Sequence, residues 1–372
     1  MRILVTGGLG FIGQHLVRRL LQDGHDVVIV DNISPAVHAA IPPVPEGARL
    51  VVGDVNDGEV VRQLVGEPVT LVHLAARTGV GQSMYQAREY AATNCVGTAS
   101  VLDTLVASGD VTRVVLPSSR AVYGEGAYRC DNGHTFTALP RTRPALEAGR
   151  WDQSCIRCQA SAESVPTTEA TEVSPGSVYS GTKLFQEHVC GSIAMASNIP
   201  CMILRLFNVY GPGQSLTNPY TGILGAFARA GRRRDPSNVF EDGRMIRDFI
   251  HVDDVVSALL LAIGTPRAPT DRPTVVNVGT GDPVSILDVA RRMARLQVAP
   301  EPVITKEYRV GDVRHCYADT DRAADLLGFR ARVGLEAGLA DYLAWFAEQP
   351  TVPVDDGLAE MRDRGYAGRG PA

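Results

Sequence analysis

A short apolar run, Arg2-Ile-Leu-Val-Thr6, breaks into Gly7-Gly-Leu-Gly10-Phe-Ile-Gly13, and that junction leaves the chain few folds to adopt. Glycine lets the backbone turn tightly and approach a pyrophosphate. The helix that follows turns unpaired N–H groups and a partial positive charge toward that anion. The Gly-x-x-Gly-x-x-Gly spacing is a weak signal alone, but its surroundings are strong. A strand precedes it, an amphipathic helix through about Asp23 follows, and a second apolar strand, Val27-Val-Ile-Val30, closes on Asp31. Arg49-Leu-Val-Val-Gly-Asp54, Val69-Thr-Leu-Val-His-Leu-Ala75 and Val111-Thr-Arg-Val-Val-Leu116 read as further strands, with a long helical stretch from about Met84 to Ser108. Strand and helix alternating in this way predict an α/β, doubly wound parallel sheet. Ligands of such sheets sit beyond the carboxyl ends of the strands. Those ends hold the glycine loop, Asp31, Asp54, Ala75-Ala76 and Ser118-Ser119.

Asp31 stands where a carboxylate accepts hydrogen bonds from an adenosine ribose, and it would repel a 2′-phosphate. Asn32 follows it rather than a basic residue, which favours NAD over NADP. Asp54-Val55 is placed for the adenine. The chain holds only two lysines, Lys183 and Lys306, and Lys183 follows Tyr179 by four residues. Residues so spaced share one helix face. A fixed ammonium there favours ionisation of the phenol, and a phenol so tuned exchanges a proton with a sugar hydroxyl.

Net charge is −5, which argues against a nucleic-acid partner. No segment approaches the ~20 apolar residues of a membrane span. The N-terminus runs straight into a strand, so the expected compartment is the cytoplasm. Seven cysteines, an odd number, read as reduced thiols or metal ligands rather than a disulfide framework.

Thr6-Gly-Gly-x-Gly-Phe-Ile-Gly13, His73-Leu-Ala-Ala76, Asn94-x-x-Gly-Thr98, Ser118-Ser-x-x-Val-Tyr-Gly124 and Tyr179-x-x-x-Lys183 together resemble the extended short-chain dehydrogenase/reductases. Arg205-Leu-Phe-Asn-Val-Tyr-Gly-Pro212, Arg247-Asp-Phe-Ile-His-Val-Asp253 and Asn277-Val-Gly279 extend the likeness to the nucleotide-sugar epimerase/dehydratase branch, over residues 1 to about 345. The resemblance implies a Rossmann domain with NAD as cofactor, a nucleotide-sugar substrate and a homodimer built on the 84–108 and Tyr-Lys helices. It implies Tyr179 as acid/base, Lys183 on the nicotinamide ribose, and Ser119 on the reacting oxygen. Phe11 and Ile12 would offer N–H groups to the pyrophosphate, with Gly7, Gly10, Gly13, Leu74, Ala75, Ala76 and Asn94 completing the cofactor site. Asn208, Arg247, Arg309 and Asp312 match positions that grip the nucleotide. Sugar dehydratases of the branch carry Asp-Glu directly after the Ser/Thr, and its decarboxylases usually carry Ser-Glu. Here Arg120 and Ala121 stand in those places, and neither does general acid work at neutral pH. The resemblance then favours C4 epimerisation, with two rival readings open: a nucleotide-sugar 4-oxidoreductase that releases its cofactor each turn, and a non-catalytic NAD-binding scaffold.

Val80-Gly-Gln-Ser-Met-Tyr85, Tyr123-Gly-Glu-Gly126, Asn218-Pro-Tyr-Thr-Gly222, Phe240-Glu-Asp-Gly243 and Gly311-Asp-Val-Arg-His315 look like the subgroup of dTDP-L-rhamnose 4-epimerases, which make dTDP-6-deoxy-L-talose. Arg120 departs from that subgroup, where a neutral residue is expected. A cation beside Ser119 either reaches C5 or C6 of the sugar, favouring an acidic or altered hexose, or lies outward in solvent.

Ser119 and Tyr179 stand further apart than in relatives, which marks residues near 125–172 as an insert. It is expected to be loop-rich and holds Cys130-x-x-x-His134 and Cys155-x-x-Cys158, which read either as the donors of a tetrahedral structural zinc or as free thiols and an imidazole on a mobile lid. The expected organisation is a NAD-binding domain over 1–206, rejoined near 245–265, a sugar-binding α+β lobe mainly over 207–348 and a loosely packed tail over 349–372. Helices are expected near Pro219–Ala230, Asp254–Ile263, Ser285–Arg295 and Leu335–Ala347.

Overall fold

The computed structural model describes all residues except 36, 39, 40, 65, 217–221, 267, 352–356 and 372. Seven parallel strands form the central sheet. They are β1 (Arg2–Thr6), β2 (Asp26–Asp31), β3 (Arg49–Val52), β4 (Val69–His73), β5 (Val111–Ser119), β6 (Cys201–Leu206) and β7 (Thr274–Val278). Their order is β3-β2-β1-β4-β5-β6-β7. The order reverses between β1 and β4, so the crevice between their carboxyl ends is the natural ligand site.

One face of the sheet is covered by α1 (Phe11–Gln22) and α5 (Val252–Gly264), the other by α2 (Gly97–Ser108) and α3 (Val178–Ala196). Leu16, Val17 and Leu20 meet Val255 and Leu259 on the first face. Val101, Leu102 and Leu105 meet Cys190 and Ala194 on the second. Those residues recur at helical spacing in the sequence, and burying them drives the layers together.

The second lobe has its own core. Helices α4 (Ile223–Arg233), α6 (Ile286–Gln297) and α7 (Leu335–Glu348) pack Phe227, Met293, Leu339 and Tyr342 around Val239 and Met245. The 218–221 part of the Asn218–Gly222 motif, and the expected start of the α4 helix at Pro219, lie outside the described residues.

Two expectations change. The insert is more than loop. Strands Ala127–Cys130, Thr135–Thr137 and Ala162–Ser164 form a small antiparallel sheet, with Tyr128, Phe136 and Cys155 buried beneath it. The tail is packed: helix Gly357–Asp363 buries Met361, and Ala367–Arg369 pairs antiparallel with Glu307–Arg309. The Gly- and Arg-rich composition hid that pairing, because Gly368 sits where a side chain would strike the Tyr308 ring.

Candidate active site

The glycine loop is shaped for close approach. Gly7 has φ +69°, and a Cβ on it would lie 2.8 Å from the Ala75 nitrogen. A Cβ on Gly13 would lie 2.5 Å from the Gly7 oxygen. Gly10 opens α1 with no side-chain cap, and the first turn, Phe11 and Ile12 included, carries no acidic residue. The positive end of the helix dipole is therefore left for an anion. Asp31 accepts from the Leu9 N–H at 3.0 Å and the Ile33 N–H at 2.9 Å, tying the end of β2 to this loop. Asn32 donates to Asp54 at 2.9 Å.

A cavity of about 950 Å³ runs past Gly7, Gly10, Asp31, Asn32, Asp54, Val55, Leu74, Ala75 and Ala76. A neighbouring cleft of about 1350 Å³ shares Gly7, Gly10, Leu74 and Ala76 with it and reaches Phe11, Ile12, Gly13, Ser119, Arg120, Tyr179 and Asn208. The residues present fit a dinucleotide: a cradle that any Cβ would fill, a helix N-terminus and a carboxylate at the end of β2.

Tyr179 stands in the first turn of α3, which a Ser177–Ser180 capping box opens. Ser119, the last residue of β5, meets the phenol with its hydroxyl and accepts from the Ala121 N–H at 3.2 Å. Burial pushes the phenol above its ordinary value, while the Ser119 bond and the Arg120 charge pull it down. Lys183 is buried, and its ammonium donates to the Pro117 carbonyl at 2.8 Å and to Gln186. Through Pro117 it ties α3 to β5. Burial brings Lys183 down to about 8.

From Lys183 a hydrogen-bonded chain crosses the core. Gln186 donates to Thr98 at 2.7 Å, Thr98 meets His73 at 2.8 Å, and His73 meets Thr6 at 2.7 Å. Burial, with the Lys183 charge, drives His73 down to about 3, so its ring is neutral. Asn94 sits in a π-helical turn, Ala91–Val96, and binds the Arg77 N–H and the Thr182 hydroxyl. It lines neither cavity and instead fixes the chain that does.

The four expected nucleotide-gripping residues divide. Asn208 lines the cleft with a buried, unpartnered Oδ1. Arg309 lies over the Phe240 ring at 4.9 Å with an unpartnered Nε. Arg247 and Asp312 instead pair with each other at 3.0 Å, and Arg247 also donates to the Ile246, Val313 and Arg314 carbonyls. A buried guanidinium needs such partners, so its donors turn inward. Arg120 holds a buried, unpartnered guanidinium nitrogen and does not lie out in solvent. It lines the cleft and also a smaller adjoining cavity of about 420 Å³.

The model of the NAD dependent epimerase/dehydratase family matches residues 3–144 and 155–279. This chain belongs to that family. The interruption in the match falls inside the insert. The dTDP-L-rhamnose 4-epimerase of Burkholderia thailandensis is 41% identical to it over 354 residues, 94% of this chain and 95% of that one. Among solved structures, MoeE5 in complex with UDP-glucuronic acid and NAD aligns with TM-score 0.71 and 32% identity, covering 93% of this chain and 99% of that one. The UDP-glucose 4-epimerase of Thermotoga maritima, solved with UDP-glucose, aligns with TM-score 0.76 and 28% identity, over 94% and 99%.

In this epimerase/dehydratase the insert gathers Cys130, His134, Cys155 and Cys158, whose ligand atoms all lie within 4.8 Å of one another. Cys130 and Cys158 sulfurs are 3.8 Å apart, and Cys155 lies 3.7 Å from the His134 ring. Tetrahedral zinc bonds of about 2.0–2.3 Å put ligand atoms roughly 3.3–3.8 Å apart. Burial raises the Cys155 thiol, but N–H groups of Arg157 and Cys158 and the His134 ring outweigh it and bring the thiol to about 6.

Sequence reasoning missed His38, whose ring stands 3.7 Å from Asp31. It also gave no role to Glu125 or Pro140, which line the smaller cavity with Arg120. Glu125 had a signal, since it sits between two glycines six residues after Ser119.

Proposed function

We propose that this protein inverts C4 of a nucleotide-activated hexose, with dTDP-L-rhamnose and dTDP-6-deoxy-L-talose as the substrate pair. The observation that carries the reaction is the meeting of Ser119 and Tyr179 in the dinucleotide cleft, with no carboxylate at the two positions after Ser119. The substrate pair is supported by the full-length likeness to the rhamnose-nucleotide epimerase. NAD held in the cleft would supply the acceptor and donor of the C4 hydride, which makes the cycle redox-neutral.

Tyr179, as phenolate, removes the 4-OH proton while Ser119 holds the 4-oxygen. Lys183 has one ammonium proton beyond its two hydrogen bonds to offer a ribose hydroxyl. Asn208 and Arg309 hold the nucleotide, and the Arg247–Asp312 pair stiffens the wall beside them. The hexose, tethered only through its phosphate, turns over as the 4-ketone. As the opposite face of that ketone is reduced, Tyr179 returns the proton to the 4-oxygen. Incubation with a panel of nucleotide sugars, read by NMR, tests this. Inversion at C4 of dTDP-L-rhamnose is the expected result, and elimination or no turnover on any sugar refutes it.

A second substrate reading, a nucleotide-bound uronate, is favoured by one observation: the unpartnered Arg120 nitrogen at the cleft. The likeness to MoeE5, solved with UDP-glucuronic acid, supports it too. In either reading Arg120 is the cation beside the phenolate. Arg120→Met removes a positive charge that favours ionised Tyr179, so the acid limb of the kcat–pH profile moves to higher pH. A shift of about one unit is expected, or roughly tenfold slower turnover at pH 7. An unmoved limb with only a raised KM would assign Arg120 to the sugar alone.

We infer also that Cys130, His134, Cys155 and Cys158 hold a structural zinc ion, all four positions being filled by protein. Exposed Val96, Phe185 and Met195 on the α2 and α3 side support a homodimer through those helices. The seven cysteines form no disulfide, which supports a reducing, cytoplasmic setting, and the proposed substrate pair would place the protein in carbohydrate biosynthesis.

A further inference from the structure

The insert's hairpin has two ends with different surroundings. Its tip carries Cys130 and His134, facing Cys155 and Cys158. Its two strands, Ala127–Cys130 and Thr135–Thr137, pair antiparallel and run back toward the active site. Where they end, Glu125 on one arm and Pro140 on the other line the small cavity together with Arg120 and Asp312. That cavity opens beside the residues that follow Ser119, on the side away from the glycine loop.

The open end is held firmly. The Glu125 carboxylate accepts from Arg141 at 3.1 Å and from the Arg314 N–H at 2.6 Å. Arg141, next to Pro140, donates to both oxygens of Glu241 at 2.8 Å and to the Asp312 carbonyl at 2.9 Å. These contacts fasten each arm to the sugar lobe. Among the described residues no ion pair fastens residues 130–134 at the tip. Among the described residues the core beneath the insert sheet buries Tyr128, Cys130, Phe136, Ala138 and Cys155, with Cys158, Ala160 and Ala162 partly buried against them, and three of these are the clustered cysteines. So small a core gives little stability without a cross-link.

We propose that a zinc ion at the hairpin tip fixes the hexose-facing wall, so that the metal clasp is a specificity element of the enzyme rather than a remote staple. The inference rests on the zinc and epimerase readings above. Clasping the tip sets the twist and register of the two strands, and these, together with the Glu125 and Arg141 contacts, set how far Glu125 and Pro140 stand from Arg120. The sugar lies between them, while the dinucleotide lies on the other side of Ser119. Loss of the metal therefore acts on sugar recognition and spares the cofactor cleft.

The test uses the full chain. Metal content is measured on the purified protein and on Cys155→Ser/Cys158→Ser, with bound NAD and the steady-state constants for dTDP-L-rhamnose. One zinc per chain is expected, absent from the double variant, whose KM rises roughly tenfold or more while its NAD content is unchanged. Should the double variant fail to fold, chelator-stripped wild type is followed by hydrogen–deuterium exchange, a readout independent of the reaction. Faster exchange at 124–126 and 138–141 as well as at the tip supports the proposal. It does so even if the sugar panel shows no C4 inversion, an outcome that would overturn only the reaction. Exchange confined to 130–134 and 154–161, zinc loss with unchanged KM, or wild type without metal would overturn it.

Discussion

Replacing Tyr179 with phenylalanine should lower kcat by roughly 10³-fold, with bound dinucleotide and melting temperature little changed. Only the hydroxyl is removed. The ring packs edge-on against Tyr90, with centroids 6.4 Å apart, and the Tyr179 N–H binds the Ser83 hydroxyl at 3.0 Å. Phenylalanine keeps both contacts. The lost group is the one that takes and returns the proton, and Ser119 cannot replace it, because an unassisted hydroxyl is too weak a base at neutral pH. A dinucleotide-binding scaffold without catalysis would be indifferent to the change. Turnover by NMR, with NAD content on the same sample, separates the two outcomes.

Arg314→Met should destabilise the fold by about 3–5 kcal/mol, the cost of breaking its buried ion pair with Glu241. Arg314 is fully buried and pairs with Asp242 at 2.6 Å, Asp152 at 2.7 Å and Glu241 at 3.1 Å. Burial raises Glu241, and Arg141 and Arg314 counter that rise. Methionine fills the volume but supplies no charge, so Glu241 is left with Arg141 alone. Because Asp152 belongs to the insert and Asp242 to the second lobe, the variant should also loosen their junction. Urea denaturation measures the loss; a change under about 1 kcal/mol would mean the cluster is neutralised in another way.

The doubly wound sheet was legible because its signals are local. Apolar runs, the glycine loop and the spacing of Leu16, Val17 and Leu20 each declare an element within a few residues. Tyr179 and Ser119 were legible for the same reason. The direction of Lys183 was not, since four-residue spacing puts two side chains on one face without saying which way a long stem bends. Here the stem bends toward Pro117. Arg247 and Asp312 were separately visible as polar residues near the nucleotide site. That they pair with each other depends on two strands meeting across the lobe, Ile246–Arg247 beside His315–Cys316. The buried cluster around Arg141 and Arg314 joins the insert to residues far along the chain, and no short-range pattern announces it. The packed tail escaped notice similarly, because its strand is three residues long and its stability comes from Glu307–Arg309.

The central claim, that Tyr179 and Ser119 serve transient oxidation at C4, is tested most directly with dTDP-L-rhamnose carrying deuterium at C4. Epimerised product should keep the label at C4 and gain none from solvent at C3 or C5. Inversion with the label washed out, or with solvent hydrogen entering at C5, would contradict it.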